Sequence, residues 1–457
     1  MNRKEYDMTA ADKHYEKMTK TPVSKLILRL GIPTTVSMLI TNIYNLADTY
    51  FVGQLGESPQ AATGILFTLQ CIIQAVAFML GHGSGTFVSK ALADKDTDEA
   101  TCYVSSAFFV GGAVGILLSV FGLIFLTPFM RLLGSTETIL PYAKDYGMWV
   151  LISCPFMICS LVLNNNLRYE GKAFYAMFGL TAGGILNILG DWFLIQKLHM
   201  GVYGAGLSTA VSQMVSFLIL LILYFRTAQS TISLRAVSCR WTIYAGIVKV
   251  GFPSLIRQGL ASVSHGLLNN LTKVYGDAAI AAMSVVNRFS SLVMCVGLGI
   301  GQGFQPVAAF NYRAKEYKRV KQGLIFTTVV GLVVVAGLSF VGFLFAESII
   351  RVFQESEAVI RVGTPALRYA TVGLLFLPLS VPVNMLYQSI RRAGVASFLS
   401  ILRSGAMLIP TLLLTVHFWG LTGVQISQPI ADMLSGLICV PFIIHFMRHG
   451  GENEETK

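Results

Sequence analysis

Two carboxylates lie inside long apolar segments in the first half of the chain. Asp48 stands toward the end of the first such segment, and Asp191 follows Asn187 by one helical turn in a later one. A charged side chain near the centre of a lipid bilayer costs at least about 2.5 to 3.5 kcal/mol, which makes both acids candidates for function. Carboxylates with amides beside them suit exchange of a monovalent cation: a proton held by the acid, or Na⁺ held by oxygen atoms.

Further polar residues accompany these acids. Spacings of three and four residues place four of them on one helix face with Asp48, and we expect this face to line a cavity: Thr34, Ser37, Thr41 and Asn45. A later predicted helix ends with Asn164, Asn165 and Asn166, which are placed to add an amide to the same pocket. The candidate cation-coupling residues are Asp48, Asp191, Asn187, Asn164 and Asn165, with a Na⁺ site at Asp48, Asn187 and Asp191. The alternative is structural: each acid is satisfied by a neighbouring helix or, for Asp48, lies in the headgroup region.

The second half of the chain carries a polar stripe without a carboxylate. His265 and Asn269 lie on it, between Gln258 and Thr272. Its one acid inside an apolar segment is Asp432, and its cations there are Arg257, Arg288 and Arg403, so pairing of Asp432 with an arginine and a role in transport both stay open. We predict a substrate cavity at Thr41, Asn45, His265, Asn269, Asn384, Gln388, Arg257 and Arg288.

The composition places these residues in a membrane. Of the 457 residues, 54% are hydrophobic and only 12% are charged, against roughly 25% charged in a soluble domain. No phosphate-binding loop, H-E-x-x-H or G-x-S-x-G pattern occurs, so neither ATP hydrolysis nor another enzymatic activity is predicted. The seven cysteines form no C-x-x-C pair, and neither a disulfide framework nor a cofactor is predicted.

Apolar runs between charged clusters predict twelve transmembrane helices, since crossing a bilayer takes about 20 residues. Most of the 34 Lys and Arg residues then fall on the side of the termini, which predicts cytoplasmic termini and accounts for the net charge of +11 without a nucleic-acid partner. The predicted helices are 26–54, 60–89, 101–128, 143–166, 173–196, 203–226, 243–272, 278–305, 322–346, 366–390, 395–417 and 421–446.

The two halves repeat one pattern. The shift that places Gly31 on Gly251 also places Pro33 on Pro253, and a slightly larger shift places Gly171 on Gly394 further along. Six helices per half make these parallel repeats, as in transporters whose halves rock about a central site. The predicted domains are a cytoplasmic segment at 1–24, an N-terminal lobe at 25–226, a cytoplasmic linker at 227–242, a C-terminal lobe at 243–446 and a cytoplasmic tail at 447–457.

Several motifs, in order, resemble one family. They are Gly31-x-Pro33 with Gly251-x-Pro253, the stretch Ala47 to Gly53 around Asp48, Arg168-x-Glu170-Gly171, and Asn187-x-x-x-Asp191. Together with twelve spans in two halves, they resemble the multidrug and toxic compound extrusion (MATE) transporters, and within them the DinF-like branch of the MepA type.

That resemblance implies an all-α, V-shaped, two-lobed transporter in a bacterial plasma membrane. It implies export of lipophilic, usually cationic compounds in antiport with H⁺ or Na⁺ by alternating access, with Asp48, Asn187 and Asp191 at the cation site and Asn164 or Asn165 beside it. We expect a monomer. The acids that the NorM-like branch carries on its seventh and tenth helices are absent. A flippase for a lipid-linked sugar remains the alternative, because Arg257, Arg288 and Arg403 suit a cationic cavity.

Overall fold

The computed structural model describes residues 9–353 and 356–450, and these are helical almost throughout. Helices satisfy their own backbone hydrogen bonds, as a chain in lipid requires. The first half contains α1 (Ala10–Lys20), α2 (Val23–Gly53), α3 (Glu57–Ala93), α4 (Thr97–Ile124), α5 (Leu126–Leu132), α6 (Leu140–Tyr169), α7 (Ala173–Asp191) and α8 (Gly201–Thr227). The second contains α9 (Trp241–Thr272), α10 (Asp277–Arg313), α11 (Tyr317–Leu344), α12 (Ala346–Phe353), α13 (Glu357–Leu374), α14 (Leu377–Ser389), α15 (Ala393–Ile401) and α16 (Leu408–His449).

Twelve crossings can be assembled from these helices. Nine described helices are long and apolar enough by themselves, and α13 with α14 forms a tenth span that is bent by 45°. The continuous run 393–449 contains two spans, because Gly420 breaks it with a φ of 55°. The remaining span is α9, which has the length but a more polar composition, with Lys249 and Arg257 among its residues. The predicted all-α, twelve-helix class is confirmed.

The tenth predicted helix, 366–390, differs from the structure. It begins earlier, at Glu357, and bends at residues 375–376, where α13 ends and α14 begins. Pro378 follows the break and lacks a backbone N–H, which makes a bend there inexpensive. Hydropathy alone records a span of apolar residues and does not locate such a bend.

From the first to the fifth span of each half the two halves keep a single register, the one that pairs Gly31 with Gly251. Asn164 Nδ2 donates to the carbonyl of Ala176 over 2.9 Å, and in the same register Asn384 Nδ2 donates to Ala396 over 2.8 Å. Gly171 and Arg391 are likewise equivalent, and both take a positive φ, of 74° and 61°. The predicted change of offset, which matched Gly171 to Gly394, is therefore wrong. The turn after α6 and the turn after α14 have the same backbone geometry, although the residue with positive φ is Gly171 in one and Arg391 in the other.

The lobes formed by α2–α8 (the N-lobe) and α9–α16 (the C-lobe) meet at the end where both described termini lie, which we call the terminal side. One apolar cluster there includes Met18, Leu92, Phe310, Tyr387 and Phe446 from both lobes. At the opposite end the chain packs in separate clusters, one containing Val52, Leu140 and Val202 and another containing Leu268, Val286 and Val424. The molecule is thus closed at the terminal side and divided at the other.

Glycines make the close contact between the lobes. A Cβ at Gly83 would lie 2.1 Å from the carbonyl oxygen of Ile247, and a Cβ at its repeat counterpart Gly303 would lie 2.5 Å from the backbone of Gly31. A Cβ at Gly251 would lie 1.8 Å from the carbonyl oxygen of Met79. Helix α3 therefore crosses α9, and α10 crosses α2, at a separation that only glycine permits.

The linker between α8 and α9 is fixed by Glu170, which follows the last residue of α6. Its carboxylate accepts hydrogen bonds from Gln229 N over 2.6 Å, Ser230 N over 3.3 Å and the Tyr224 hydroxyl over 3.2 Å. Burial raises the pKa of Glu170, and these donors offset part of that cost. The glutamate of the Arg168-x-Glu170-Gly171 motif thus has a structural role.

Helix α1 lies across both lobes on the terminal side. It falls within the predicted polar segment 1–24, of which residues 1–8 lie outside the described residues. The Asp12 carboxylate is 2.6 Å from Lys95 Nζ in the N-lobe. The Met18 carbonyl accepts hydrogen bonds from Asn311 and Arg319 in the C-lobe, each over 3.2 Å.

We predict that acid weakens this docking through His14. Its ring packs edge-on against Phe310, and burial, with the charges of Lys17 and Lys172, lowers its pKa from 6.5 to about 4. The undocked helix therefore binds more protons than the docked one between these values, so docking is complete above pH 6.5 and weakens as pH falls toward 4. The pKa of Asp12 is lowered by its bond to Lys95, so that ion pair persists over this range.

A spin label at Lys13→Cys, on a background without other cysteines, measures this effect. Its mobility should rise between pH 7 and pH 4.5 in the native context and should not change with pH in His14→Gln. Equal pH dependence in both proteins would exclude His14 as the cause.

Candidate functional site

A chain of hydrogen bonds joins Asp48 to Asn187 in the N-lobe, beside Asp191. The Tyr146 hydroxyl donates to Asp48 Oδ2 over 2.8 Å and is 3.2 Å from Thr209 Oγ1. Asn187 Nδ2 donates to Thr209 Oγ1 over 3.1 Å. Asp191, one turn after Asn187, completes this coupling cluster on α2, α6, α7 and α8, and its charge interacts with that of Asp48.

The coupling cluster has an excess of oxygen acceptors. Buried oxygens without a hydrogen-bond donor are Asp48 Oδ1, Asn187 Oδ1 and both carboxylate oxygens of Asp191. The Ser208 hydroxyl lies beside Asp191 but donates to the carbonyl of Asn187 over 2.9 Å. Buried carboxylates need neutralisation, and neither acid has a Lys or Arg within ion-pair distance among the described residues. A proton or a cation that prefers oxygen ligands fits this arrangement.

Local structure turns these groups inward. Gly190 lies against Ser208 so closely that a Cβ would be 2.5 Å from its hydroxyl oxygen, which brings α7 and α8 together beside Asp191. A π-helical segment, Trp192–Lys197, begins directly after Asp191. Such wide turns occur frequently at functional sites because they shift the side chains that follow them.

Sequence reasoning did not find Tyr146 and Thr209 as members of the cluster. Tyr146 is one of 17 tyrosines, and no local pattern separates it from the others. Its position opposite Asp48 follows only from the packing of α6 against α8, which brings the Tyr146 hydroxyl to α2 and which the sequence does not give.

Asn164 and Asn165 point elsewhere. Asn164 donates to the carbonyl of Ala176, as described above. Asn165 Nδ2 donates to the carbonyl of Leu161 over 2.7 Å, and its Oδ1 accepts from Arg168. The structure therefore brings together Asp48, Asn187 and Asp191 of the five predicted coupling residues, and no hydrogen bond joins the other two to them.

A central cavity of about 520 Å³ lies between the lobes. Four predicted cavity residues border it: Thr41, Asn45, His265 and Asn269. Asn187 borders it as well, so one side chain belongs to both the cavity and the coupling cluster. Apolar and sulfur-containing side chains from both lobes make up much of the wall, including Phe67, Phe78, Met157, Met177 and Met294.

The other four predicted cavity residues do not border it. Asn384 Nδ2 donates to the carbonyl of Ala396 and, over 2.9 Å, to Ser400 Oγ. Its Oδ1 accepts a hydrogen bond from Arg257 Nη1 over 3.1 Å. Gln388 donates to Ser254 Oγ over 2.8 Å below the cavity. Arg257 and Arg288 also lie outside the lining. A polar residue in a span can bond to a neighbouring helix instead of facing water, and the sequence does not distinguish these outcomes.

Asp432 is paired with Arg403. The distance from Arg403 Nε to Asp432 Oδ1 is 2.7 Å, and Gln428 Nε2 donates to the same oxygen over 3.0 Å. The sequence left open whether Asp432 pairs with an arginine or has a role in transport. Arg403 is the partner that the first interpretation requires.

Two repeated six-helix lobes around a central cavity define a multi-pass membrane transporter fold. The MatE family model matches residues 33–193 and, separately, 253–413. The chain belongs to the MatE family, and the predicted resemblance is confirmed. The two matched ranges are offset by the same amount at both ends, in agreement with the structural register.

Curated relatives and solved structures agree with this assignment. The chain is 27% identical over 434 residues to the multidrug export protein MepA of Staphylococcus saprophyticus, covering 94% of this chain and 95% of that protein. It is 26% identical over 433 residues to MepA of Staphylococcus aureus strain NCTC 8325, with the same coverage. A multidrug resistance MATE family transporter solved in an outward-facing conformation matches at a TM-score of 0.90 and 25% identity, over 97% of this chain and 98% of that one.

Proposed function

We propose that this protein is a secondary active multidrug exporter. It moves lipophilic, mostly cationic compounds across a bacterial plasma membrane in antiport with H⁺ or Na⁺, by alternating access. The observation that carries the proposal is the position of Asn187, which borders the central cavity and is hydrogen-bonded within the coupling cluster. The names of its staphylococcal relatives, which are multidrug export proteins, support the same activity.

The coupling follows from competition. With no ion bound, Asp48 and Asp191 place negative charge behind Asn187 and attract a cationic compound in the cavity. A proton or Na⁺ on the cluster removes that charge and weakens the hold on the compound. Binding of the ion and of the compound therefore oppose each other, as an antiporter requires.

Helix α2 connects the cluster to the lobe interface. Asp48 lies near one end of this helix, and Gly31 lies against α10 near the other. Pro33 removes one backbone hydrogen bond between them, so that α2 can bend there at low cost. We propose that occupation of the cluster changes the bend of α2 and thereby the contact that closes the terminal side.

Orientation and assembly follow from the same arrangement. The basic residues on the terminal side favour cytoplasmic termini, which makes the described conformation open away from the cytoplasm. One chain contains both the cavity and the coupling cluster, so we propose that it works as a monomer.

Gradient-driven transport in proteoliposomes tests the proposal. The ethyl ester of a rhodamine dye is a fluorescent lipophilic cation, and a pH gradient and a Na⁺ gradient are imposed separately. We expect movement of the dye against its own gradient with one of the two, and none when both are absent. No uphill movement with either gradient, from protein that is shown to be folded, would count against antiport.

A lipid-linked sugar flippase is the second candidate, and the observation in its favour is Arg257. This arginine has no carboxylate within ion-pair distance among the described residues, and its Nη1 donates to the amide oxygen of Asn384. Arg403 no longer supports it, since Asp432 neutralises that side chain. Movement of a fluorescent lipid-linked sugar between leaflets, without gradient-driven dye export, would favour the flippase.

A further inference from the structure

The central cavity has an unexpected charge for an exporter of cations. Among the described residues that border it there is no Asp or Glu, and the one permanently charged side chain is Arg168. The two acids of the coupling cluster, Asp48 and Asp191, do not border the cavity. Of the predicted residues in that cluster, Asn187 is the one that does. The floor of the cavity, on the terminal side, is therefore cationic.

Arg168 is held without a counter-ion. Its side chain is 2% exposed, and it donates from Nη1 to Gln302 Oε1 across the lobe interface and from Nη2 to Asn165 Oδ1. Its Nε has no acceptor. Burying a guanidinium this completely without a carboxylate is costly, because amide oxygens compensate only part of the lost hydration.

A second cation lies close to the first. The charge of Arg257 interacts unfavourably with that of Arg168. The Arg168 guanidinium also lies over the ring of Tyr169, 5.8 Å from its centre. Arg257 precedes Gln258, which borders the cavity. Two like charges without an acid between them, in a medium of low dielectric, give this floor a positive potential that an anionic group would relieve.

The repeat carries an uncharged side chain at the position equivalent to Arg168. In the register that pairs Gly31 with Gly251, the C-lobe counterpart of Arg168 is Gln388. It is a neutral amide whose hydrogen bonds stay within the C-lobe: it donates to Ser254 Oγ over 2.8 Å and accepts from Gln305 Nε2 over 3.2 Å. A neutral amide therefore fills this position of the repeat in the C-lobe, whereas the N-lobe carries a guanidinium that bonds to Gln302 across the lobe interface and brings a charge to the cavity.

We propose that the cavity floor binds the acidic group of lipophilic compounds that carry a carboxylate. The carboxylate contacts Arg168 and is attracted by Arg257, while the aromatic body of the compound packs among Phe78, Met157 and Met294 of the walls. This inference rests on the proposed function, in which the central cavity holds the exported compound. It adds lipophilic carboxylates as a substrate class, which the negative charges of the coupling cluster would not attract.

Two forms of one dye test the proposal. A rhodamine with a free carboxylate and its ethyl ester share the same ring system and differ by one negative charge at pH 7.5. Their dissociation constants are measured by fluorescence anisotropy on the purified full-length protein. In Arg168→Gln we expect the acid form to bind weaker by roughly ten-fold or more, as when a charge-assisted hydrogen bond is lost, and the ester to change little.

The controls separate charge from packing. Arg168→Lys keeps the charge and should retain most of the preference for the acid form. Arg288→Gln removes a span arginine that does not border the cavity and should leave the ratio of the two constants unchanged. Equal weakening of both dyes in Arg168→Gln would assign Arg168 to the lobe interface alone and overturn the proposal.

The native protein gives a check that needs no variant. If it binds the acid form more than ten-fold weaker than the ester, the floor does not accept a carboxylate and the inference fails. The proposed export function is judged independently, by gradient-driven transport of the ester.

Discussion

Asp48→Asn is expected to abolish uphill export, while the protein still binds the exported compound with the weaker affinity of the neutralised cluster. The substitution keeps the size of the side chain and the contact with the Tyr146 hydroxyl, but it removes the negative charge and the site of protonation. Without that charge the cluster cannot alternate between an ion-bound and an ion-free form. Asp191→Asn should have the same effect, because both oxygens of this carboxylate lack a donor. We expect gradient-driven transport of the rhodamine ester to fall at least about 100-fold in either variant.

The matched control is Asp145→Asn. Asp145 precedes Tyr146 in the sequence but is exposed, so removal of its charge should leave transport unchanged. Equilibrium exchange of dye across the membrane, without any gradient, separates loss of coupling from loss of folding. Uphill transport that survives in both Asp48→Asn and Asp191→Asn would remove the cluster from the mechanism.

Gly251→Ala is expected to prevent closure of the terminal side. The added Cβ would lie 1.8 Å from the carbonyl oxygen of Met79, which belongs to the backbone of α3 and cannot rotate away. Overpacking of this kind typically costs about 1 to 3 kcal/mol, enough to shift a two-state equilibrium by roughly 5- to 150-fold. The described conformation should therefore be depopulated, and transport should fall with it.

Distances between spin labels at Asp98→Cys and Lys318→Cys measure this change. The two positions are exposed, are equivalent in the repeat, lie on the terminal side and report the separation of the lobes. In Gly251→Ala the distance distribution should move to longer values. Gly259→Ala, on the same helix but with no atom within 4 Å of the added Cβ, should give the native distribution and native transport. Identical distributions in all three proteins would show that the glycine crossing does not set the closed state.

The sequence predicted the features that depend on local periodicity. Twelve apolar segments, two repeated halves and intramembrane acids at Asp48 and Asp191 can all be recognised without knowing which helices touch. The break between the last two predicted helices, 395–417 and 421–446, agrees with the positive φ of Gly420. Each of these features can be recognised from the residues alone, without knowledge of the contacts between helices.

The features that the sequence missed depend on contacts between segments. Arg168 was placed in a motif after the fourth helix, but α6 continues to Tyr169 and buries it between the lobes. Asn164 and Asn165 lie on the predicted helix, yet their amides bond to Ala176, Leu161 and Arg168 instead of to the acids. A polar group in a span must find a partner, and the sequence does not state which helix provides it.

The most direct test of the account measures binding of the exported compound as a function of the coupling ion. The affinity of the purified protein for the rhodamine ester is determined over a range of pH and, separately, over a range of Na⁺ concentration. We predict that rising concentration of one of these ions weakens binding, because ion and compound compete through the coupling cluster, and that this dependence disappears when Asp48→Asn and Asp191→Asn are combined. An affinity that is indifferent to both ions in the native protein, or a dependence that persists in the double variant, would contradict coupling at this cluster.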